Sequence, residues 1–279
     1  MMLIADSGAS KTDWRVVNGS VIGQAKTPGL NPYQLSFAEI TDILEKELKP
    51  EVAGVVESIF FYGAGCLVPD KKNKIRSALH MAFPEASINV DTDMVGACFA
   101  VSGNEASIVC ILGTGANSCV FDGQKITTTQ PSLGFMLGDE GSGSYLGRKL
   151  IQHYYRGIMP LNMRDDFQKM FDLDPDVVLD RIYRRPMAAK YLANFTRVMI
   201  DHKDHPYVYD LVLTAFQQFF DHYVLKYPEH AMLPVHFVGS FAYYYNSILR
   251  VAAREKNVTL GRIIESPIAG LTLHHQKNP

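Results

Sequence analysis

The sequence contains one local pattern twice, and this repeat restricts the possible folds more than any other feature. Each copy has a strand-forming run, a loop of small residues, a second run and an Asn-Gly or Asp-Gly turn. Such turns favour tight hairpins because both central residues need positive φ. We interpret the repeat as an internal duplication. The first copy comprises residues 3–6, 7–9, 14–17 and 18–19, and the second comprises residues 107–112, 114–116, 118–121 and 122–123.

The length supports two units. The chain has 279 residues, and domains commonly span about 100–200 residues. We predict an N-terminal α/β domain at 1–102 and a C-terminal one at 103–279, with a final helix from about 267 as a candidate for packing back onto the first lobe. Beyond Gly141 the pattern is mainly helical, with helices predicted at about 141–156, 176–183, 186–201 and 206–227.

The composition points towards small-molecule partners. Hydrophobic residues make up 47% of the chain, and the formal net charge is -2, which gives no basic field for nucleic acid or an anionic membrane. The four cysteines have no paired C-x-x-C spacing, and no apolar run reaches about 18 residues. We therefore expect a cytoplasmic protein with reduced thiols. The histidines His202 and His205 fall in a polar segment that we interpret as solvated surface.

Two loops have the composition of phosphate-binding loops. In the first, Asp6 ends a strand and precedes the small residues 7–12, whose backbone N–H groups suit an anion, while the Asp6 carboxylate suits hydrated magnesium. In the second, residues 113–117 offer the same backbone chemistry. An ordinary turn explains either loop alone, but the duplication favours a shared function.

Two carboxylates, Asp91 and Asp93, follow a predicted short strand and open a helix. Phosphoryl transfer to a hydroxyl needs a carboxylate that accepts the hydroxyl proton. Helix capping is the alternative, because Asp is a favoured N-cap residue. The spacing alone does not choose between the two residues as base. We interpret the small residues Gly96 and Ala97, which follow Asp93, as leaving space for close approach of a ligand.

Two further segments have glycines beside polar residues. In residues 134–143, the Asp139 carboxylate could accept hydrogen bonds from sugar hydroxyls, or the segment could be a loop before a capped helix. In residues 237–242, the small pair Gly239-Ser240 between a strand and a helix would let a flat adenine lie on backbone.

In this order, these segments resemble the N-acetylglucosamine kinase branch of the BadF/BadG/BcrA/BcrD ATPase family, within the actin-like sugar kinase and Hsp70 superfamily. The resemblance covers nearly the whole chain, and Gly138-Asp139-Glu140-Gly141-Ser142 is its most specific motif. It implies Asp93 as catalytic base and Asp6 as the magnesium residue, acting through water. The implied phosphate and nucleotide residues are Asp6, Gly8, Ser10, Lys11, Thr12, Gly113, Thr114, Gly115, Gly239 and Ser240, and the implied sugar residues are Asn31, Asn117 and Asp139.

The resemblance also implies a fold and an activity. We expect two ribonuclease-H-like α/β domains with an interdomain cleft, ATP and Mg²⁺ as cofactors, and a homodimer. The expected activity is ATP-dependent phosphorylation of an amino-sugar hydroxyl, with N-acetylglucosamine and glucosamine both open as acceptors.

Two rival functions differ in what they require of the sequence. Activator ATPases of dehydratases or reductases in the same family share an iron-sulfur cluster, which needs thiolate ligands, whereas residues 138–147 contain no cysteine. A sugar or nucleotide sensor without chemistry has no use for a base at Asp93.

Overall fold

The computed structural model describes residues 1–8 and 11–277 of the chain. It contains two compact units. Unit 1 is formed by Met1–Asn104 together with Ser266–Pro279, and unit 2 by Glu105–Glu265.

Unit 1 is built on a five-stranded sheet in the order β3-β2-β1-β4-β5. β1, β2 and β3 form an antiparallel meander, whereas β4 and β5 run parallel to β1. The strands are β1 (Met2–Ser7), β2 (Lys11–Asn18), β3 (Val21–Pro28), β4 (Ser58–Gly63) and β5 (Ser87–Thr92), and the first helices are α1 (Phe37–Ile43), α2 (Pro69–Ala82) and α3 (Asp93–Ser102). The fully buried Trp14 and Phe61 lie in the core between this sheet and its helices.

Unit 2 repeats this arrangement, because its sheet has the order β10-β9-β6-β7-β8. β6, β7 and β8 are antiparallel, whereas β9 and β10 are parallel to β6. The strands are β6 (Ser107–Leu112), β7 (Ala116–Phe121), β8 (Ile126–Thr129), β9 (Val235–Val238) and β10 (Leu260–Ile264). The helices are α4 (Gly134–Leu137), α5 (Gly143–Tyr155), α6 (Leu161–Met170), α7 (Pro175–Tyr183), α8 (Ala188–Asn194), α9 (Val198–Asp201), α10 (Pro206–His222), α11 (Ser240–Tyr244) and α12 (Asn246–Glu255).

The shared strand order agrees with the predicted duplication of an α/β unit. An antiparallel hairpin beside parallel strands is the mixed arrangement expected of two ribonuclease-H-like units. The fold class predicted from the sequence is confirmed.

The last helix, α13 (Ile268–Lys277), belongs to unit 1. A Cβ on Gly270 would lie 2.4 Å from the carbonyl oxygen of Ala100, so only glycine allows α13 to approach α3 this closely. The ring of His275, 4% exposed, stacks on Phe60 with 3.8 Å between centroids, and its Nε2 lies 2.9 Å from the hydroxyl of Tyr62.

Several helices differ from the prediction, each for a local reason. The helix predicted at 186–201 begins only at Ala188, because Met187 has a left-handed backbone (φ 66°), and a 3₁₀ turn at Phe195–Arg197 then interrupts it. The helix predicted at 206–227 ends at His222 and is followed by a 3₁₀ turn at Val224–Lys226. α6 was not predicted, since Met163 and Phe167 are its only buried side chains.

The two histidines interpreted as solvated surface have partners instead. The His202 side chain is 12% exposed, and its Nε2 lies 3.1 Å from Oδ2 of Asp166. His205 is the N-cap of α10, where its Nδ1 accepts the N–H of Tyr207 at 3.1 Å. The surface interpretation was therefore wrong for His202.

Within residues 1–8 and 11–277, none of the helices has both the length and the apolar composition that crossing a membrane requires. All four cysteines are buried.

Candidate active site

The first predicted phosphate loop connects β1 to β2 in unit 1. Gly8 N–H donates to the Lys11 carbonyl at 3.0 Å, which closes the loop. The buried hydroxyls of Ser7 and Thr12 share a 2.8 Å hydrogen bond, and Thr12 Oγ1 donates to the Pro28 carbonyl at 3.1 Å. Thr12 therefore fixes the loop from inside. The predicted loop residue Ser10, with Ala9, lies outside the described residues.

Asp6 lies at the end of β1, paired in register with Asp13 of β2. Burial raises the pKa of Asp6 to about 7, and the negative charges of Asp93 and Asp13 add to this rise. Lys11, whose Nζ pairs with Asp13 Oδ2 at 2.7 Å, opposes it. The Ser266 hydroxyl approaches Asp6 without reaching ordinary hydrogen-bond geometry, so its lowering effect is the smallest. Excess negative charge of this kind favours a bound cation.

Asp93 is the first residue of α3, and the structure distinguishes it from Asp91. Thr92 is the N-cap, because its Oγ1 accepts the N–H of Val95 at 3.2 Å. Asp93 Oδ1 accepts the N–H of Met94 at 3.0 Å, and burial raises the Asp93 pKa.

Asp91 lies in β5, where its Oδ1 pairs with Lys72 Nζ at 2.7 Å and accepts the Thr92 N–H at 2.8 Å. Its carboxylate thus already has a cation, whereas among the described residues the Asp93 carboxylate accepts a hydrogen bond from backbone and forms no ion pair. The capping alternative for Asp91 was wrong, since Thr92 caps the helix. Gly96 was interpreted as leaving space for a ligand, but a Cβ there would meet Tyr62 Cβ at 2.8 Å, so it serves helix packing.

The predicted sugar residue Asn31 lies in the loop after β3 in unit 1. Its Oδ1 accepts the N–H of Tyr33 at 2.9 Å, and its carbonyl accepts two further N–H groups. Lys74 Nζ donates to the Pro32 carbonyl at 2.8 Å and holds this loop against α2. Gly65 allows Asn31 to approach, because a Cβ there would lie 2.9 Å from Asn31 Oδ1.

In unit 2, the second predicted phosphate loop, Gly113 to Gly115, is held by the start of α5. Gly143 N–H donates to the Gly113 carbonyl at 2.9 Å, and Ser144 N–H donates to the Thr114 carbonyl at 3.0 Å. The first N–H groups of α5 lack intrahelical partners, so they donate to the carbonyls of the loop and fix its position.

The predicted adenosine segment meets the same loop. Gly239 has φ 126°, and a Cβ there would lie 2.3 Å from the Leu112 carbonyl oxygen. A Cβ on Gly143 would lie 2.5 Å from Phe241 of α11. Three segments far apart in the sequence, 113–115, 138–143 and 239–241, therefore lie together in unit 2. Ser240 begins α11 and is partly exposed.

Asp139 lies against this loop rather than in open solvent. Its backbone is left-handed (φ 59°), its side chain is buried, and Oδ1 accepts the Ala116 N–H at 3.2 Å. Gly115 permits the contact, because a Cβ there would lie 3.1 Å from Asp139 Oδ2. Burial raises the Asp139 pKa, while the Ala116 N–H lowers it. Asn117, one residue after Ala116, is partly exposed on β7, and its Oδ1 accepts the Ser118 N–H at 2.8 Å.

Sequence reasoning missed the residues that support these segments. Ser7, Ser144 and Tyr223 are buried polar side chains beside the two loops. Ser7 stands inside the first predicted phosphate loop and Ser144 directly follows the 134–143 segment, so their small hydroxyl side chains were a usable signal. Tyr223 lies 84 residues after Asp139 in the sequence, and no local pattern marked it as a partner of Asp139.

Among the described residues, no three His, Cys, Asp or Glu side chains form a metal-binding cluster. The Asp6 carboxylate is a donor that suits hydrated Mg²⁺ held mainly by phosphate oxygens and water.

Comparison with known proteins gives solved structures that match the chain over nearly its full length. The chain is 38% identical to a proposed N-acetylglucosamine kinase from Porphyromonas gingivalis, whose crystal structure superposes with a TM-score of 0.94 and coverage of 100% of this chain and 99% of that one. A second proposed N-acetylglucosamine kinase, from Chromobacterium violaceum, is 16% identical with a TM-score of 0.70 over 98% of both chains, and it supports the fold alone.

A curated relative matches over a shorter region. The chain is 27% identical to the glucosamine kinase GspK of Vibrio cholerae over 158 residues, which is 53% of this chain and 52% of the relative. The match therefore spans about half the length of that protein. No protein-family model matches the chain.

The match at 38% identity, which covers the full length of the chain, identifies the family. The chain belongs to the N-acetylglucosamine kinase-like branch of the BadF/BadG/BcrA/BcrD ATPase family, with the actin-like sugar kinase fold.

Proposed function

We propose that the protein is an ATP-dependent kinase that phosphorylates a hydroxyl of an amino sugar, N-acetylglucosamine or glucosamine. The observation that carries this proposal is the meeting of loop 113–115, the 138–143 motif and Gly239-Ser240 in unit 2. The kinase names of the P. gingivalis and V. cholerae relatives support the reaction class and the sugar class.

Backbone groups hold the nucleotide in this proposal. The loop residues Thr114 and Gly115 bind phosphate oxygens through their N–H groups, as does the loop between β1 and β2, with Lys11 adding positive charge. Gly239 and Ser240 bind the adenosine, as the resemblance implies, and the missing side chain at Gly239 lets this segment lie directly against the 113–115 loop.

Asp93 is the proposed general base. Its carboxylate takes the proton from the acceptor hydroxyl as the hydroxyl oxygen bonds to the γ-phosphorus, and the bond from that phosphorus to the β–γ bridging oxygen breaks to release ADP. The raised Asp93 pKa makes the carboxylate a better proton acceptor than an exposed one. Asn31, Asn117 and Asp139 orient the sugar hydroxyls.

Mg²⁺ supplies shielding of phosphate charge when it is bound. Asp6 would hold it through water, because its pKa of about 7 reflects burial and the nearby charges of Asp93 and Asp13, which a cation would offset. We further propose a cytoplasmic homodimer, on the resemblance alone.

An ADP-release assay tests the proposed function. The wild-type protein is given ATP and Mg²⁺ with N-acetylglucosamine, glucosamine, N-acetylmannosamine, glucose or no sugar. We expect release that depends on an amino sugar, because an acceptor must be present to react. Equal ADP release with and without every sugar would refute the proposal and favour an ATPase.

A further inference from the structure

A buried tyrosine, Tyr223, packs against the 138–143 motif. Tyr223 follows α10, is 4% exposed, and stacks on Phe219 with 4.9 Å between ring centroids. Its hydroxyl oxygen accepts the Asp139 N–H at 3.3 Å. A Cβ on Gly138 would lie 3.1 Å from this hydroxyl, so the motif needs glycine there for Tyr223 to reach Asp139.

A carboxylate oxygen of Glu140 lies beside the same hydroxyl. Glu140 Oε1 pairs with His222 Nδ1 at 3.1 Å, whereas Oε2 is buried and has no hydrogen-bond partner among the described residues. A Cβ added to Gly138 would lie 3.1 Å from the Tyr223 hydroxyl and 3.7 Å from Glu140 Oε2, so both groups border the same small space. The negative charge of Glu140 contributes, after burial, to raising the pKa of Tyr223 to about 12.

The Tyr223 hydroxyl and Glu140 Oε2 are a hydrogen-bond donor and an acceptor that could pair with each other. The Tyr223 oxygen already accepts one hydrogen bond and still has its own proton to donate. Glu140 Oε2 is a buried acceptor without a donor, and such groups are normally paired. Glu140 acts on the pKa of Tyr223 both through its charge and as a hydrogen-bonding side chain, and both groups border the space over Gly138, so the two are close enough to pair.

We propose that Tyr223 is a positioning residue of the kinase site, whose hydroxyl accepts from Asp139 N–H and donates to Glu140 Oε2. This bridge holds Asp139 in its left-handed conformation and its carboxylate against Gly115 and Ala116. The inference rests on the proposed function, because it assigns Tyr223 an effect on sugar use through Asp139.

The kinetic test replaces Tyr223 by phenylalanine, which keeps the ring stacked on Phe219 and removes the hydroxyl. Tyr207→Phe is the matched control: Tyr207 belongs to the same helix α10, and its hydroxyl lies 2.8 Å from His153 Nδ1, away from the motif. We expect Tyr223→Phe to lower kcat/KM for the amino sugar about tenfold, the loss of one hydrogen bond near a charged group, and Tyr207→Phe to change it less than about twofold. The ATP dissociation constant measured without sugar should stay within about threefold for both variants.

A double-mutant cycle tests the bridge without using activity. Tyr223→Phe, Glu140→Gln and the double variant are compared by urea unfolding of the ligand-free protein. A hydrogen bond between the two side chains predicts that the double variant is destabilised by less than the sum of the single changes.

The outcomes separate this inference from the proposed function. A wild-type protein without sugar-dependent activity refutes the kinase, and the unfolding cycle still decides the bridge. If the losses in free energy of unfolding of the two single variants add up to that of the double variant, the bridge is refuted. An active wild type with a Tyr223→Phe variant that matches Tyr207→Phe, or that loses ATP affinity with normal sugar KM, refutes the positioning role.

Discussion

Asp93 and Asp91 are two residues apart, and the partners of their carboxylates suggest different roles. Asp91 is paired with Lys72, and both side chains are partly exposed, so this pair stabilises the fold only slightly. Asp93 has no such cation, and burial raises its pKa. Asp91 would have to give up its ion pair with Lys72 on protonation, whereas Asp93 would not, which favours Asp93 as the proton acceptor.

We expect Asp93→Asn to lower kcat by about 10²- to 10⁴-fold with little change in sugar or ATP binding, because the amide cannot accept the hydroxyl proton. Asp91→Asn is the matched control and should keep near wild-type kcat, with a free energy of unfolding within about 1 kcal/mol of wild type. Single-turnover phosphorylation measures the first effect, and urea unfolding the second. A dead Asp91→Asn with an active Asp93→Asn would reverse the assignment.

The sequence identified residues that stand in a recognisable local pattern, such as Asp6, Asp93 and Gly239. It did not reveal Tyr223, because its contact with Asp139 joins positions 84 residues apart and depends on where α10 ends. It also led us to interpret Gly96 as a ligand-facing position, since a sequence does not show which neighbour a small residue allows to approach.

At the scale of elements, the junction of β9 with α11 depends on a missing side chain. A Cβ on Gly239 would overlap the Leu112 carbonyl at 2.3 Å, and the φ of 126° disfavours any other residue. We expect Gly239→Ala to lower the free energy of unfolding of unit 2 by about 3 kcal/mol or more.

Gly157→Ala is the control for backbone strain alone, because Gly157 has φ 68° with no atom within 4 Å of its added Cβ. It should cost about 1–2 kcal/mol. Thermal unfolding of both variants makes the comparison. Equal losses would show that Gly239 is not limited by packing against β6.

The docking of α13 predicts a pH dependence for unit 1. Burial, with a smaller effect from His274, lowers the pKa of His275 to about 4, below the usual 6.5. Between these values the unfolded chain binds the proton and the folded chain does not, so stability falls as the pH drops from 6.5 to 4. The upper limit of this loss is on the order of 3 kcal/mol.

His275→Phe keeps a ring on Phe60 but does not titrate, so its unfolding midpoint should depend less on pH across this range. His80→Gln, a change at an exposed position of α2, should keep the wild-type dependence. The measurement is the thermal midpoint at several pH values. An unchanged pH dependence in His275→Phe would contradict the contribution of this ring.

Elements with strong local signals were predicted well, and those set by tertiary contacts were not. β6 has the bounds predicted for its strand-forming run, residues 107–112. The break at Met187 was not predicted, because a left-handed backbone at a non-glycine residue has no compositional signal.

At the scale of the whole molecule, the sequence already indicated the duplicated architecture, because each hairpin with its small-residue loop is encoded locally. The two sheets have the same strand order around β1 and β6. Each unit contains one of the two predicted phosphate loops. We predict that the choice of sugar depends on side chains that differ between the copies, such as Asn31, Asn117 and Asp139.

Transfer of label from γ-labelled ATP tests the central claim most directly. The protein is incubated with ATP, Mg²⁺ and N-acetylglucosamine or glucosamine, and labelled sugar phosphate is separated from labelled inorganic phosphate. We predict that one of these sugars receives the label in step with ADP formation, and that Asp93→Asn abolishes most of this transfer. Label that appears as inorganic phosphate at the same rate with or without sugar would contradict the account.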